Sequence, residues 1–284
     1  MAELNLTRIW NASGMPWLPE LFSAPVLANL EAERRRDKFV TIPYFAGVAT
    51  GEVEAMIDSF AGEPELQHPF RGRIRGERAF TTYVRDTDAW MAAHDVTVDE
   101  LWHVATPRRG FEEVVLHLSG ETDLPVAIVS ELGPDGRLVE LRVYFSNVPL
   151  TGQRRNRPPV LQVDPDVRLH GVLAEYQAAL AVGDRDAIVA TFSPDGWLRE
   201  PTGIVYRGPD ALRAFYAQLF SHGGGLGLEH CSVVDDERGC ALEYNIVRWG
   251  TEELLPAAGV AVYQHGADGK LDAVRIYDDV DPPL

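Results

Sequence analysis

The sequence predicts an α+β protein made of two tandem domains, each with about three helices packed on a curved, mainly antiparallel sheet. Three observations support this fold class: the chain repeats itself, each copy runs from helices to strands, and a polar linker separates the copies. Helices followed by a run of strands are typical of α+β domains, in which the helices cover one face of an antiparallel sheet.

The repeat appears as residue identities at a constant spacing. Early positions recur after 132 residues and late positions after 133, which indicates one extra residue in the second copy. The matched pairs are Tyr44 with Tyr176, Gly51 with Gly183, Phe60 with Phe192, Pro69 with Pro201, Gly76 with Gly208, Asp135 with Asp268, Gly136 with Gly269, Arg142 with Arg275 and Tyr144 with Tyr277. We therefore predict a tandem duplication.

The copies span residues 32–148 and 163–280, and the segment between them, PLTGQRRNRPPVL, has the Pro, Arg and Gly content of a linker. We predict a first domain over residues 1–150, with an irregular Trp- and Pro-rich arm at its start, and a second over residues 151–284. A linker of about a dozen residues can join neighbouring domains, so we expect the copies to pack as an intramolecular pseudo-dimer.

In the second copy, the spacing of apolar residues predicts two helices and a strand. The first helix places its apolar residues and Tyr176 on one face and ends at Gly183, and the next begins near Asp184. A turn is predicted at Ser193–Gly196. Alternation after it sends Leu198 and Glu200 to the same side, so Glu200 is expected to face the interior that receives Tyr176.

A third helix and four strands are predicted to complete this copy. The helix opens with Gly-Pro-Asp, where a proline and an acid suit the first turn. Its buried residues are predicted to be Leu212, Phe215, Tyr216 and Leu219, and the strands are expected at residues 228–234, 240–249, 259–265 and 271–277.

Composition restricts the partners. The formal charge is −17, the isoelectric point is near 4.8, the hydrophobic content is 45% and the mean hydropathy is −0.13. So acidic a chain repels nucleic acid and anionic membranes, which leaves a small apolar or cationic ligand. No apolar run is long enough to span a bilayer and no secretion signal is evident, so we expect a cytoplasmic protein. Cys231 and Cys240 are expected to be reduced thiols.

The runs AEYQAALAVGDRDAIVATFSPDGWLREPTG and GPDALRAFYAQLF resemble the nuclear transport factor 2-like superfamily, within it ketosteroid isomerase and the SnoaL-like polyketide cyclases. The resemblance implies cone-shaped domains with an apolar pocket between sheet and helices, and cofactor-free chemistry. By position, it gives Tyr176 the role of oxyanion donor and Glu200 that of general base. Ketosteroid isomerase also uses a neutral carboxylic acid, whose position falls at or next to Ala261, so that acid is missing here. The base is Glu instead of Asp.

Each candidate residue also has a plain structural interpretation. Glu200 is either a general base or a solvated carboxylate at a strand end, and Tyr176 is either an oxyanion donor or a core tyrosine. Tyr216 is placed to support Tyr176 by a hydrogen bond or simply to pack. The predicted substrate-binding residues are Leu173, Phe192, Leu198, Phe215, Tyr216 and Leu219.

The first copy differs at the base position. His68 aligns with Glu200, and Tyr44 aligns with Tyr176, which makes these two residues a possible second site. His68 is either a base that works near neutral pH or a satisfied structural group. The other histidines show no metal-ligand spacing, so no metal site is expected.

Two classes of function remain open from the sequence. The first is a cofactor-free isomerase or cyclase acting on a hydrophobic polyketide- or steroid-like molecule in the C-terminal domain. Opening of an epoxide is a variant of this class, and it requires a second carboxylate, for which Glu229 and Glu243 are the candidates. The second class is a non-catalytic ligand-binding protein of the same fold.

Overall fold

A computed structural model describes residues 53–119, 122–236 and 238–281. The chain divides into two compact units, Met1–Val143 and Tyr144–Leu284. The predicted domain boundary at residue 150 stays a prediction. The predicted N-terminal arm, the first helix of the first copy and Tyr44 lie outside the described residues.

The described part of the N-terminal unit contains two helices, and six strands form its sheet. The elements are α1 (Val53–Asp58), β1 (Glu65–His68), β2 (Gly72–Arg75), α2 (Glu77–Ala93), β3 (Thr97–Ala105), β4 (Arg109–Leu118), β5 (Thr122–Leu132) and β6 (Leu138–Tyr144).

The C-terminal unit begins at the end of β6 and contains a short helix in the linker, followed by three helices and six strands. The elements are α3 (Val148–Thr151), α4 (Gly171–Val182), α5 (Arg185–Ala190), β7 (Phe192–Arg199), β8 (Val205–Arg207), α6 (Gly208–Leu219), β9 (Gly225–Asp236), β10 (Gly239–Gly250), β11 (Glu252–His265) and β12 (Leu271–Tyr277).

Both units have the same sheet topology. The strand order is β2-β1-β6-β5-β4-β3 in the first sheet and β8-β7-β12-β11-β10-β9 in the second. One pair in each sheet is parallel, β1 with β6 and β7 with β12. The pairs β1–β2, β3–β4 and β4–β5 of the first sheet and the other four pairs of the second sheet are antiparallel. The predictions of a tandem duplication and of mainly antiparallel α+β domains are confirmed.

Capping explains where the helices of the C-terminal unit end. Gly183 closes α4 with a left-handed φ of 76°, and a Cβ there would lie 2.2 Å from the carbonyl oxygen of Gly224. Asp184 caps α5 by accepting a hydrogen bond from the Ala187 backbone NH. The sequence predicted both ends.

One local prediction was wrong. Residues Ser193–Gly196, expected as a turn before the strand, lie within β7. The pairing with β12 nevertheless jumps there, because Phe192 lies opposite Leu271 whereas Trp197 lies opposite Ala273. The four residues thus form a bulge-like irregularity in the pairing of β7 with β12, in which Pro194 and Gly196 are readily accommodated.

Within the described ranges, no helix is both long and apolar enough to cross a membrane. Cys231 and Cys240 are buried, and no disulfide joins these two described residues.

Candidate active site in the C-terminal unit

Three tyrosines meet in the core of the C-terminal unit. The hydroxyl oxygens of Tyr176 on α4 and Tyr216 on α6 are 2.8 Å apart, and either can donate. The Tyr176 ring contacts the ring of Tyr263 on β11 edge-on, with centroids 5.5 Å apart. Gln177 donates to the Tyr263 hydroxyl at 2.7 Å. Three hydroxyl groups, each hydrogen-bonded to a neighbouring polar side chain, therefore lie in an apolar interior.

These hydroxyls are protonated donors at neutral pH. Burial raises the pKa of Tyr176, Tyr216 and Tyr263 well above the ordinary value for tyrosine. Because a charged phenolate is costly in an apolar interior, the protonated form is retained. Such a hydroxyl can stabilise negative charge that develops on a bound molecule.

The predicted substrate-binding residues converge on the same cluster. Five are buried beside Tyr176, and Leu219 is partly buried against it. The buried ones are Leu173, Phe192, Leu198, Phe215 and Tyr216. All five are at most 7% exposed, so their side chains fill the interior. Their role in binding a substrate stays a prediction.

Glu200 lies at the edge of this core. It follows β7 directly, and the Gly203 NH donates to its carbonyl oxygen at 3.0 Å, closing a tight turn. Its half-buried carboxylate accepts a hydrogen bond from the Thr202 hydroxyl at 2.8 Å. The structure therefore places Glu200 in a turn and outside the buried cluster.

Tyr206 connects Glu200 to the core. The Tyr206 hydroxyl is hydrogen-bonded to Glu200. The pKa of Tyr206 is raised, mainly because the hydroxyl is partly buried and also because the Glu200 carboxylate is close to it. Its ring lies 4.7 Å from that of Phe215, which in turn contacts Tyr216 at 5.0 Å between centroids. A continuous chain of aromatic contacts thus runs from the carboxylate to the buried hydroxyl pair.

The two candidate second carboxylates do not face this core. Glu229 is exposed on β9. Glu243 is buried on β10, but it alternates with the core residues Leu242 and Tyr244 and therefore points to the opposite face of the sheet. There it accepts a hydrogen bond from Ser232.

Asp278 is the acid that touches the core. The Tyr244 hydroxyl donates to its carboxylate at 2.9 Å, and the Val280 NH donates at 3.3 Å. Gly259 makes room for this contact, since a Cβ there would lie 2.7 Å from the Tyr244 ring and 2.8 Å from Asp278 Cβ. Burial raises the pKa of Asp278 above the ordinary aspartate value, although the hydrogen bond from Tyr244 opposes this shift.

We expect Asp278→Asn to stabilise the protein near pH 7. A carboxyl whose folded-state pKa is raised binds its proton more tightly in the folded state, so its favourable contribution exists at low pH and is lost as pH rises through that pKa. Asparagine imitates the neutral acid at every pH. Thermal unfolding should show a higher midpoint for Asp278→Asn at pH 7 and a smaller gain as pH falls toward 4. An equal gain at both pH values, or a gain in an exposed Asp195→Asn control, would contradict this.

Tyr244, Tyr263, Gln177 and Asp278 were missed by the sequence analysis. Strand alternation carries a partial indication of the two tyrosines, because Tyr263 shares its face with Ala261, the position assigned to the missing acid. Asp278 follows the last strand in an irregular segment, and no periodicity indicates its direction. Ala261 itself is buried in the core, as its alignment implied.

In the first copy, His68 lies at the end of β1, and its ring accepts hydrogen bonds from the following turn. Its Nδ1 accepts hydrogen bonds from the backbone NH groups of Phe70 at 3.1 Å and Arg71 at 3.3 Å. The Nδ1 atom is thereby an acceptor in the turn between β1 and β2, and its ring contacts Tyr83. This geometry favours the structural interpretation of His68.

The N-terminal unit also has an open cavity of about 580 Å³ between β2 and the start of α2. Arginines line it, including Arg71, Arg73 and Arg75. Arg71 pairs with Asp86 at 2.8 Å, and Arg73 pairs with Glu65 at 2.6 Å. Carboxylates therefore offset much of the positive charge.

Across the described part of the chain, no three His, Cys, Asp or Glu side chains gather to hold a metal ion.

A family model described as a SnoaL-like domain matches residues 173–274. The C-terminal unit contains a SnoaL-like domain. The nuclear transport factor 2-like architecture expected from the sequence is thus confirmed there, and the shared strand order extends it to the N-terminal unit. A search of curated protein sequences gave no match.

Solved structures match about two fifths of the chain each. An NTF-2-like protein of unknown function from Burkholderia xenovorans is 25% identical over 39% of this chain and 84% of its own, with a TM-score of 0.31. A candidate polyketide cyclase from Sinorhizobium meliloti is 18% identical over 38% and 94%, with a TM-score of 0.33. A Catenulispora acidiphila protein with a ketosteroid isomerase-like fold, solved with trimethylamine, is 13% identical over 39% and 87%, with a TM-score of 0.33.

Proposed function

We propose that the C-terminal SnoaL-like unit is a cofactor-free acid–base enzyme, an isomerase or cyclase, that acts on a hydrophobic polyketide- or steroid-like molecule. The observation that supports this best is the hydrogen-bonded pair of Tyr176 and Tyr216, at 2.8 Å, inside an apolar core. A hydroxyl pair in such surroundings is suited to hold an enolate oxygen.

In the proposed reaction, the Glu200 carboxylate removes a proton from the carbon next to a carbonyl group. The electron pair of the broken C–H bond moves onto the carbonyl oxygen, and Tyr176 donates a hydrogen bond to the resulting oxyanion. Tyr216 donates to Tyr176 and so strengthens it as a donor. Isomerisation follows when Glu200 returns its proton to another carbon. Cyclisation follows when the enolate carbon attacks a second carbonyl, whose π electron pair moves onto its oxygen, and the resulting alkoxide takes the proton from Glu200.

A substrate requires the core to open. Tyr176, Tyr216 and Tyr263 are each at most 2% exposed, so a ring compound must displace neighbouring side chains to reach the hydroxyl pair. The turn that carries Glu200 and the partly buried Tyr206 border this core, and both are partly open to solvent. We propose that the substrate enters there, which brings the base and the oxyanion donor to the same molecule.

Epoxide opening is a second candidate, favoured by Asp278. Because burial raises the pKa of Asp278, this acid is suited to protonate an epoxide oxygen while Glu200 activates the nucleophile. A non-catalytic ligand-binding protein is a third candidate, favoured by the complete burial of the core tyrosines.

Thermal shift measurements test the proposed ligand class. Apolar ring compounds should raise the melting temperature at micromolar to millimolar concentrations, because they bind the folded state in an apolar core. The set should contain a steroid, an aromatic polyketide, 2-naphthol and several nucleotides. Stabilisation by nucleotides alone would overturn the proposal. Binding of the ring compounds without any loss of affinity or turnover in Glu200 and Tyr176 variants would favour the non-catalytic candidate.

A further inference from the structure

The open cavity of the N-terminal unit lies between β2 and the first turn of α2. Its volume of about 580 Å³ is within the range of small-molecule sites. Ile74 and Tyr83 give it an apolar wall, and both are buried. Arg71 lines it from the turn between β1 and β2, and Arg78 lines it from α2. The cavity thus combines an apolar wall with cationic side chains from two elements.

The register of the short hairpin aligns this cavity with the C-terminal copy. Leu66 lies opposite Ile74 in the first unit, and 132 residues later Leu198 lies opposite Tyr206 in the second. Ile74 thus occupies the position of Tyr206, which borders the entrance proposed for the C-terminal unit. The cavity therefore lies at the equivalent place in the N-terminal unit.

The two arginines are specific to the N-terminal copy. At the same spacing of 132 residues, Arg71 corresponds to Gly203 and Arg78 to Asp210. Since the C-terminal copy builds the same elements with glycine and aspartate, the topology does not require arginine at either position. An acid also suits the first turn of a helix better than a cation, because that turn is the positive end of the helix dipole. The arginines are therefore better explained by binding than by folding.

Both arginines keep hydrogen-bond donors for a ligand. A guanidinium has five N–H donors in a planar fork that matches a carboxylate or a phosphate group. Arg71 lies 5.4 Å from the centroid of the Tyr83 ring and donates to Asp86 at 2.8 Å through Nη1, which leaves Nε and Nη2 without a described acceptor. Arg78 forms no ion pair within the described ranges.

Two further arginines border the cavity but face the other way. Arg73 and Arg75 alternate with the buried Ile74 along β2, so they point to the opposite side of the strand, where they pair with Glu65 at 2.6 Å and 3.7 Å. Glu77 is the one acid among the described residues that line the cavity. The cavity wall therefore keeps an excess of positive charge in a chain whose formal charge is −17.

We propose that this cavity binds a small apolar molecule that carries a carboxylate or phosphate group. Arg71 and Arg78 donate to the anionic group, and the apolar part packs on Ile74 and Tyr83. Arginine stays charged at every physiological pH and binds such groups through two parallel hydrogen bonds. Burial of the apolar part adds to the affinity. This site is independent of the function proposed for the C-terminal unit.

Four matched probes test the ligand class in the full chain: 2-naphthoate, 2-naphthyl phosphate, 2-naphthylmethanol and 2-naphthylmethylamine. In calorimetry, at least one anion should bind about tenfold or more tightly than the alcohol, the usual scale for a charged hydrogen bond, and the amine should bind most weakly. The tighter of the two anions distinguishes a carboxylate ligand from a phosphate ligand. Absence of anion binding, or equal affinities for the anions and the alcohol, would overturn the proposal.

Charge reversal at one arginine locates the site. Arg78→Asp installs the residue of the C-terminal copy, and an acid is favourable in the first turn of a helix, so the chain should fold normally. Binding of the preferred anion should weaken about tenfold or more. Arg85→Asp is the matched control, because it makes the same charge change about two turns further along α2 and outside the cavity. Solvent and salt screen that distance, so its effect should stay below about threefold. Equal losses from both variants would mean that the anion senses only the general charge of the chain, and would refute the site.

Asp86→Asn should act in the opposite direction. It removes the carboxylate that competes for Arg71, so anion binding should tighten about two- to fivefold, the scale of an exposed ion pair. Tyr176→Phe should leave anion binding unchanged, because Tyr176 belongs to the C-terminal unit. An affinity that does not rise in Asp86→Asn, or anion binding that is lost in Tyr176→Phe, would contradict the proposal.

Discussion

Replacing Glu200 by glutamine should lower turnover of the true substrate by about 10² or more, the usual scale for losing a general base. Glutamine keeps the size and the acceptor oxygen that receives the Thr202 hydroxyl, so the turn should remain intact. Ligand affinity should stay within a few-fold, because the carboxylate acts on the transition state more than on the bound ground state. Steady-state kinetics together with calorimetry would separate the two effects.

His68→Gln is the matched control in the other copy. His68 occupies the same repeat position, but its Nδ1 accepts two backbone hydrogen bonds in a turn. This substitution should therefore cost some stability and little turnover. Equal losses of turnover from both substitutions would indicate two working sites at this repeat position. A Glu200→Gln variant with normal turnover would make Glu200 an ordinary strand-end carboxylate.

Tyr176→Phe should lower turnover by about 10² to 10³, the range observed for removal of one oxyanion donor. The ring and its edge-on contacts with Phe192 and Tyr263 are retained, so the core should keep its packing. The loss of the hydrogen bond to Tyr216 should cost about 1 kcal/mol of unfolding free energy. Kinetics and chemical denaturation on the same preparation measure the two quantities.

Tyr216→Phe provides the comparison. It removes the same hydrogen bond, so its stability cost should be similar, but it leaves the Tyr176 hydroxyl in place. Its effect on turnover should therefore be about tenfold smaller than that of Tyr176→Phe. If both variants lose activity only in proportion to their loss of stability, the hydroxyl pair is a packing feature and the oxyanion role fails.

Most of the fold could be predicted from the sequence, because the local patterns agree with the global topology. The last strand, predicted at residues 271–277, begins and ends where the structure has β12, and Gly183 and Asp184 end and begin helices as their capping chemistry predicts. Because the chain repeats, the strand order of one sheet predicts the strand order of the other, and the two orders agree. The first and last residues of strands were less predictable, since β11 begins at Glu252, seven residues before its predicted start at residue 259.

The site was predictable where helix periodicity decides direction and unpredictable where a strand is irregular. Tyr176 and Tyr216 sit on helix faces, and both point into the core. On β10 the register shifts between Glu243 and Tyr244 and again between Ile246 and Arg248, so simple alternation from a distant residue fails there. Glu200 and Asp278 lie just beyond strand ends, where turn hydrogen bonds set the direction of a side chain.

The most direct test of the C-terminal site is the absorption spectrum of bound 2-naphthol, which distinguishes the neutral naphthol from the naphtholate. If Tyr176 donates to an oxyanion in the core, the bound compound should ionise at a lower pH than the free compound, because a donated hydrogen bond favours the charged form. That shift should shrink in Tyr176→Phe and persist in His68→Gln. Naphthol that binds the wild-type chain in its neutral form, with an ionisation raised as in a plain apolar cavity, would contradict the account.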